Sequence, residues 1–297
     1  MGRHVVYYSE KFVLSDDSFD TTRKAAWVAA SLAEEPIPGV VLAEPAPIPL
    51  QSAAAVHTPA YLDALRTGSP AVLANSPNIA WDKNTLVRSL STCGGMLDAG
   101  RSAMKNRVAG CLASGFHHAR KDRGKGYCTL NGLAIAAQAL AEGGRNHILV
   151  LDLDAHCGGG THSAIQGHVR LWQIDVSVNS YDCYQPGPRG LLQVVTDARQ
   201  YLKTVWRCLQ HAEAEWPLFS LCLYNAGMDV HEDCQNGGLA GMDELIITLR
   251  EEMVFQWCAE RGIPIAYALA GGYTGGKMTT KRLVNLHRLT QAGAGWG

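Results

Sequence analysis

The segment HILVLDLDAHCGGG, residues 147–160, runs four apolar residues into Asp152, Asp154 and His156, spaced two apart. Ile148 to Leu151 leave no polar face, the composition of a strand covered on both sides as in a parallel sheet. On an extended chain 152, 154 and 156 share a face while Leu151, Leu153 and Ala155 take the other. Two carboxylates so close repel each other unless a cation lies between them, which makes a metal their natural partner.

Working outward, similar short runs occur at HVVYYS (4–9), GCLASG (110–115), RLWQIDVS (170–177), FSLCLYNAG (219–227) and IPIAYALAGG (263–272). Segments with helical spacing of apolar residues lie between them: 21–35, 84–105, 131–144, 190–216, 242–262 and 277–291. The alternation predicts right-handed crossovers and a mostly parallel sheet with helices on both faces. Residues 36–52 hold five of the twelve prolines and read as an extended surface crossing, and SYDCYQPGPRG (180–190) as a turn-rich loop. With no repeat, low-complexity tract or linker, the whole chain, 1–297, reads as one domain.

Bulk properties narrow the partners. With 26 basic against 27 acidic residues, no general field draws the chain to nucleic acid or an anionic membrane. No apolar stretch has signal-peptide or membrane-span form. Nine cysteines, an odd number with no C-x-x-C pair, argue against a disulfide framework and for a reducing, cytoplasmic setting.

In open parallel sheets ligands bind beyond the carboxyl ends of the strands. The runs end there in Asp152, Asp154 and His156, in Met228 and Asp229, in Gly271, Gly272 and Tyr273, and in Phe116, His117 and His118. Asp154, His156 and Asp229 would give a borderline divalent ion three ligands and an open position, the pattern of a catalytic zinc or iron site. Taken singly each group has a plain reading: a hydrogen-bonded cluster, a polar histidine pair, a turn tyrosine.

Four ordered segments, SGFHHARKDRGKGYCTLNGLAIAA (114–137), LDLDAHCGGGTHSAI (151–165), NAGMD (225–229) and LAGGYTGG (269–276), resemble the main motifs of the histone deacetylase family of metal-dependent amidohydrolases. HVVYYSEKF (4–12) and VHTPAYLDAL (56–65) resemble its N-terminal portion. The resemblance implies a three-layer α/β/α fold on a mostly parallel sheet of about eight strands, as arginases and deacetylases share. It implies Asp154, His156 and Asp229 as ligands of zinc, with iron(II) the alternative, and a potassium site near Asp152, Asp154 and Ser177. His117 and His118 match the paired catalytic histidines, Asp152 the carboxylate behind His117, and Tyr273 the donor to the substrate carbonyl. Tyr127, Gln185 and Gly271 fall where substrate is held. The implied reaction is hydrolysis of an acylated lysine in a peptide, or of a small acylated amine, with homo-oligomerisation left open.

The chain departs from the family pattern at CGGG (157–160). Gly159 stands where a carboxylate backs the second histidine, so either another group supports His118 or it acts without one. Tyr127 and Gln185 replace two phenylalanines, making one channel wall more polar. A peptide-gripping aspartate is missing from the segment 85–95, with Asp82 as a substitute. Two other readings stay open: a binding protein that keeps the acyl pocket without hydrolysis, which Gly159 favours, and a two-metal ureohydrolase, which Gly158 disfavours because a second ion wants a carboxylate there. ARKDRGKG (119–126) reads as a solvated loop, and His57, which shows no paired spacing with ligands, reads as a packing or surface residue.

Overall fold

The computed structural model describes residues 4–15, 17, 19–141 and 146–295. Eight strands form one sheet: β1 (His4–Tyr7), β2 (Val40–Ala43), β3 (Val108–Cys111), β4 (Ile148–Asp152), β5 (Leu171–Ser177), β6 (Gly190–Val194), β7 (Leu221–Asn225) and β8 (Ile265–Ala268). Their order is β2-β1-β3-β8-β7-β4-β5-β6, and every neighbouring pair is parallel. The three-layer α/β/α fold expected from the sequence is the one observed.

Alternation along β7 shows why helices cover both faces. On one side, a Cβ at Gly100 of the helix Thr85–Asn106 would lie 3.4 Å from Leu221 and 3.6 Å from Leu223. On the other, Tyr224 meets Phe255 of the helix Glu244–Glu260 edge to face at 6.3 Å. Glycines let the first helix lie close: a Cβ at Gly95 would fall 2.6 Å from Phe12 and 2.7 Å from Cys111 Sγ.

Two strands were not legible as strands. β2 lies within the proline-rich crossing, on a sheet edge, where the flanking prolines cost no ladder hydrogen bond. β6 lies in the segment read as the start of a helix. That helix begins at Ala198, with the Asp197 side chain accepting from the Arg199 N–H. GLLQV, at the opposite edge, pairs with β5, and a short apolar run of this kind satisfies either periodicity.

His57 is a buried linchpin between loops. Its Nδ1 donates to the Arg120 carbonyl at 2.8 Å, and Nε2 accepts from the Asn131 N–H at 2.9 Å, an arrangement that needs the neutral ring. Burial lowers its pKa from 6.5 to about 4, against the opposing pull of the Arg120 carbonyl, and burial lowers His4 likewise to about 4. Below pH 6.5 the unfolded chain therefore binds more protons at these two positions than the folded one. Their stabilising contribution is whole above pH 6.5 and falls away toward pH 4, by at most about 1.4 kcal/mol per pH unit for each group. Urea midpoints measured from pH 7 down to pH 4.5 are expected to fall accordingly, and less steeply in His57→Gln, which has no such proton to take up.

Candidate active site

Strands β3, β8, β7 and β4 are consecutive in the sheet, so their carboxyl ends open onto one edge and the loops that follow converge there. Those loops carry His117 and His118, Tyr273, Asp229, and Asp154 with His156. β4 itself stops at Asp152, and residues 154–155 form a bend. The expected extended run from 152 to 156 is therefore broken after its first member. Asp152 stays in the sheet, while beyond the bend Asp154 meets the Gly271 N–H after β8 and His156 bridges Asn179 in the loop after β5.

Asp154, His156 and Asp229 each offer a ligand atom, all within 4.8 Å of one another. His156 Nδ1 lies 3.3 Å from Asp154 Oδ1 and 3.2 Å from Asp229 Oδ2. Both carboxylates are buried, and Asp229 Oδ2 accepts no hydrogen bond. Their other oxygens are held by backbone: Asp154 Oδ2 accepts from the Gly271 N–H at 2.7 Å and Asp229 Oδ1 from the Ala155 N–H at 3.0 Å. Burial and the charge of Asp154 push the Asp229 carboxyl up. Burial works in the same sense on Asp154, but His117 and His156 hold it well below the ordinary range. Crowded carboxylates, one with an orphaned oxygen, beside an imidazole fit a borderline divalent cation. Among the described residues this is one three-ligand group, consistent with one ion. A side chain at Gly158 would begin 2.4 Å from Asp152 Oδ2, so the position has no room for a further carboxylate.

Gly271 sits behind this group and does not line the main cavity. A Cβ there would lie 2.1 Å from Asp229 Oδ2 and 2.5 Å from Asp154 Oδ2, so only glycine lets the backbone pass. Behind it the fully buried Lys24 donates to the Ala270 carbonyl at 2.5 Å and the Gly272 carbonyl at 3.2 Å, fixing the strap that ends in Tyr273. From the other side the buried Arg250 donates to the Leu153 carbonyl at 3.2 Å and the Gly227 carbonyl at 2.8 Å. It thereby ties together the two loops that bear the carboxylates.

The paired histidine rings lie with centroids 3.9 Å apart, tilted 36° to each other. His117 Nδ1 lies 2.9 Å from Asp152 Oδ2, and Asp152 Oδ1 accepts from Asn225 at 2.8 Å. Burial works to lower the His117 pKa, but Asp152 and Asp154 override it and raise the pKa to about 10. His118 Nδ1 lies 3.0 Å from Asp182 Oδ2. Of the two possibilities raised by Gly159, a substitute group is the one present. A Cβ at Gly159 would meet the Asp182 backbone oxygen at 2.3 Å, so the loop carrying Asp182 fills the space a side chain at 159 would need. Burial and the neighbouring His117 lower the His118 pKa to about 3. Arg120 and Lys125 also pair with Asp182. Two bases of the run read as a solvated loop are thus turned inward.

A cavity of 420 Å³ opens over these groups, with His118 and His156 in its lining, Tyr127, Tyr181 and Tyr273 as aromatic walls, and Asn78, Asn179, Gln235 and Asn236 among its polar residues. Phe19 stacks on Tyr127 at 4.0 Å and approaches Tyr273 at 5.3 Å. Gln185 is exposed and outside this lining, and Tyr181 stands in the wall instead. Asp82 is also away from it, accepting from the Asn84 N–H at 2.6 Å and lying 3.7 Å from Arg88. Ser177 donates to Asp175 at 2.5 Å, next to Asp152 in the β4–β5 register. Burial and Asp152 push the Asp175 carboxyl up to about 8.

Comparison with known proteins gives the fold and the family. An uncharacterized protein of Picosynechococcus is 31% identical over 223 residues, covering 73% of this chain and 74% of its own. Histone deacetylase 2 of Arabidopsis thaliana is 27% identical over 232 residues, covering 73% of this chain and 59% of the plant protein. Acetylpolyamine aminohydrolase from Burkholderia pseudomallei superposes with a TM-score of 0.79 at 18% identity, over 98% of both chains. The HDA15 HD domain superposes with a TM-score of 0.79 at 19% identity, over 99% of this chain and 90% of its own. The histone deacetylase domain model matches residues 18–287, a span that takes in the paired histidines, the three candidate ligands and Tyr273, and by that match the chain belongs to the histone deacetylase family.

Proposed function

We propose that the protein hydrolyses the amide of an acylated primary amine, an acyl-lysine side chain or a small acylated amine, in a metal-dependent reaction. The observation that carries this reading is a three-ligand group at the base of a cavity whose lining also holds His118 and Tyr273. Asp154, His156 and Asp229 would hold zinc or iron(II), which when bound polarises an acyl carbonyl and makes a water molecule acidic.

The remaining steps fall to the chain's own side chains. With Nδ1 committed to Asp182, His118 has Nε2 left to take the proton of the attacking water and return it to the departing amine. Asp152 holds His117 in place beside it. The Tyr273 phenol is kept protonated by burial and by the charges of Asp229 and Asp154, so it donates to the carbonyl oxygen as negative charge develops. Tyr127 and Tyr181 flank an aliphatic stem. A monovalent cation beside Asp152, Asp175 and Ser177 would relieve the crowding of two buried carboxylates. Nine unpaired cysteines fit a reducing compartment, and no helix among the described residues is long and apolar enough to cross a membrane.

The binding-only reading rested on Gly159, and Asp182 removes that support. Protein loaded with one equivalent of zinc or iron(II) is expected to release carboxylate from at least one of an acetyl-lysine peptide, a longer acyl-lysine peptide and an acetylated diamine. No turnover of any of them with either metal refutes the hydrolase.

A further inference from the structure

We infer that Asp182 is the positioning residue of His118, and that its loop couples this histidine to the wall of the acyl channel; the inference rests on the amide-hydrolase reading. Neighbours in sequence here do two jobs. Asp182 turns inward to the His118 ring at 3.0 Å, while Tyr181 turns outward into the cavity wall. Tyr181 stands edge-on to two rings of the site, with centroids 5.0 Å from His118 and 5.9 Å from His156.

The backbone makes this division possible. Asp182 has φ +61°, a left-handed conformation that aspartate tolerates better than most side chains. The Tyr181 N–H donates to the Asn179 side chain at 2.8 Å, the Cys183 N–H to the Ser180 carbonyl at 3.1 Å, and the Cys157 N–H to the Tyr181 carbonyl at 3.0 Å. The loop is thus pinned both to itself and to the residue after His156.

Charge completes the device. Arg120 bridges Asp182 and the Gly159 carbonyl, which it reaches at 3.1 Å, and Lys125 pairs with Asp182 while standing 4.9 Å from the Tyr181 ring. A carboxylate shared by three donors stays anionic and has one oxygen, Oδ2, on the imidazole. Its loop also forms the substrate wall, so a group that displaces Tyr181 displaces the support of His118 with it. Had the carboxylate been borne at position 159, at the start of the helix Gly159–Ile165, the two would be separate.

Asp182→Asn, Asp182→Glu and Tyr181→Ala test this, each compared with wild type for metal content and thermal unfolding. Asp182→Asn is expected to lower kcat about 10- to 100-fold with KM little changed, and Asp182→Glu to recover part of the loss. The downfield Nδ1–H proton resonance of His118, assigned by its absence in His118→Gln, is expected to vanish in Asp182→Asn and to shift in Tyr181→Ala. A kcat within twofold of wild type in Asp182→Asn, or a resonance that survives there, overturns the positioning role. A resonance unmoved in Tyr181→Ala overturns the coupling. If wild type turns over no acylated amine, the hydrolase reading fails, while the resonance still decides whether Asp182 holds His118.

Discussion

Tyr273→Phe is expected to lower kcat on an acylated amine about 100- to 1000-fold while leaving metal content unchanged, the cost typical of one lost oxyanion donor. The substitution removes a single oxygen from a side chain whose ring environment is otherwise kept. Phe19 stays 5.3 Å away and Lys24 5.3 Å from the ring centroid, and the strap carrying residue 273 remains fixed by the Lys24 bonds to Ala270 and Gly272. Loss confined to kcat, with KM for the peptide little moved, marks an interaction made as the oxyanion forms and absent from the bound amide. Turnover within a fewfold of wild type would remove Tyr273 from the chemistry and leave it as a wall of the cavity.

A second large effect is expected from Asp229→Asn. The carboxylate oxygen without a hydrogen bond is replaced by a neutral group, so the ion loses both a ligand and a charge. Metal affinity should fall by more than the roughly 10- to 100-fold that follows loss of a supporting partner, and turnover should disappear when metal is supplied one to one. Elemental analysis after dialysis is expected to give about one ion per chain for wild type and far less for the variant. The metal-free proteins should behave in the opposite sense. There Asp229 is a buried carboxylate beside Asp154, so neutralising it relieves repulsion, and the metal-free variant should unfold no earlier than metal-free wild type. A variant that keeps its ion would show that the cluster is not the metal site.

What could be read from the chain follows from how the groups are delivered. His117, Asp152, Asp154, Asp229 and Tyr273 each come within a few residues of a strand end, and a short apolar run running into polar residues is visible in any listing of the letters. Parallel strands then bring those ends to one edge with no further information. Asp182 is different. It lies in NSYDCY, where an aspartate looks like any turn residue, and only the path of the loop over Gly159 reveals its partner. Lys24 was hidden in a helical pattern, since its partners Ala270 and Gly272 lie some 246 and 248 positions away. The family resemblance puts Gln185 at a channel position, but the turn at 179–183 presents Tyr181 to the cavity instead. β6 was lost because five apolar-rich residues satisfy strand and helix alike, although Asp197 marked the true helix start.

The Arg250 clamp bears on how such a site is loaded. In domains whose fold is assembled by their metal, stripping the ion unfolds the chain. Here a guanidinium on a neighbouring helix already grips the carbonyls of Leu153 and Gly227, so the cradle keeps its shape through hydrogen bonds that involve no ion at all. Filling it would then be a matter of local supply and exchange rather than of refolding, and a divalent cation held there would follow what the surroundings provide.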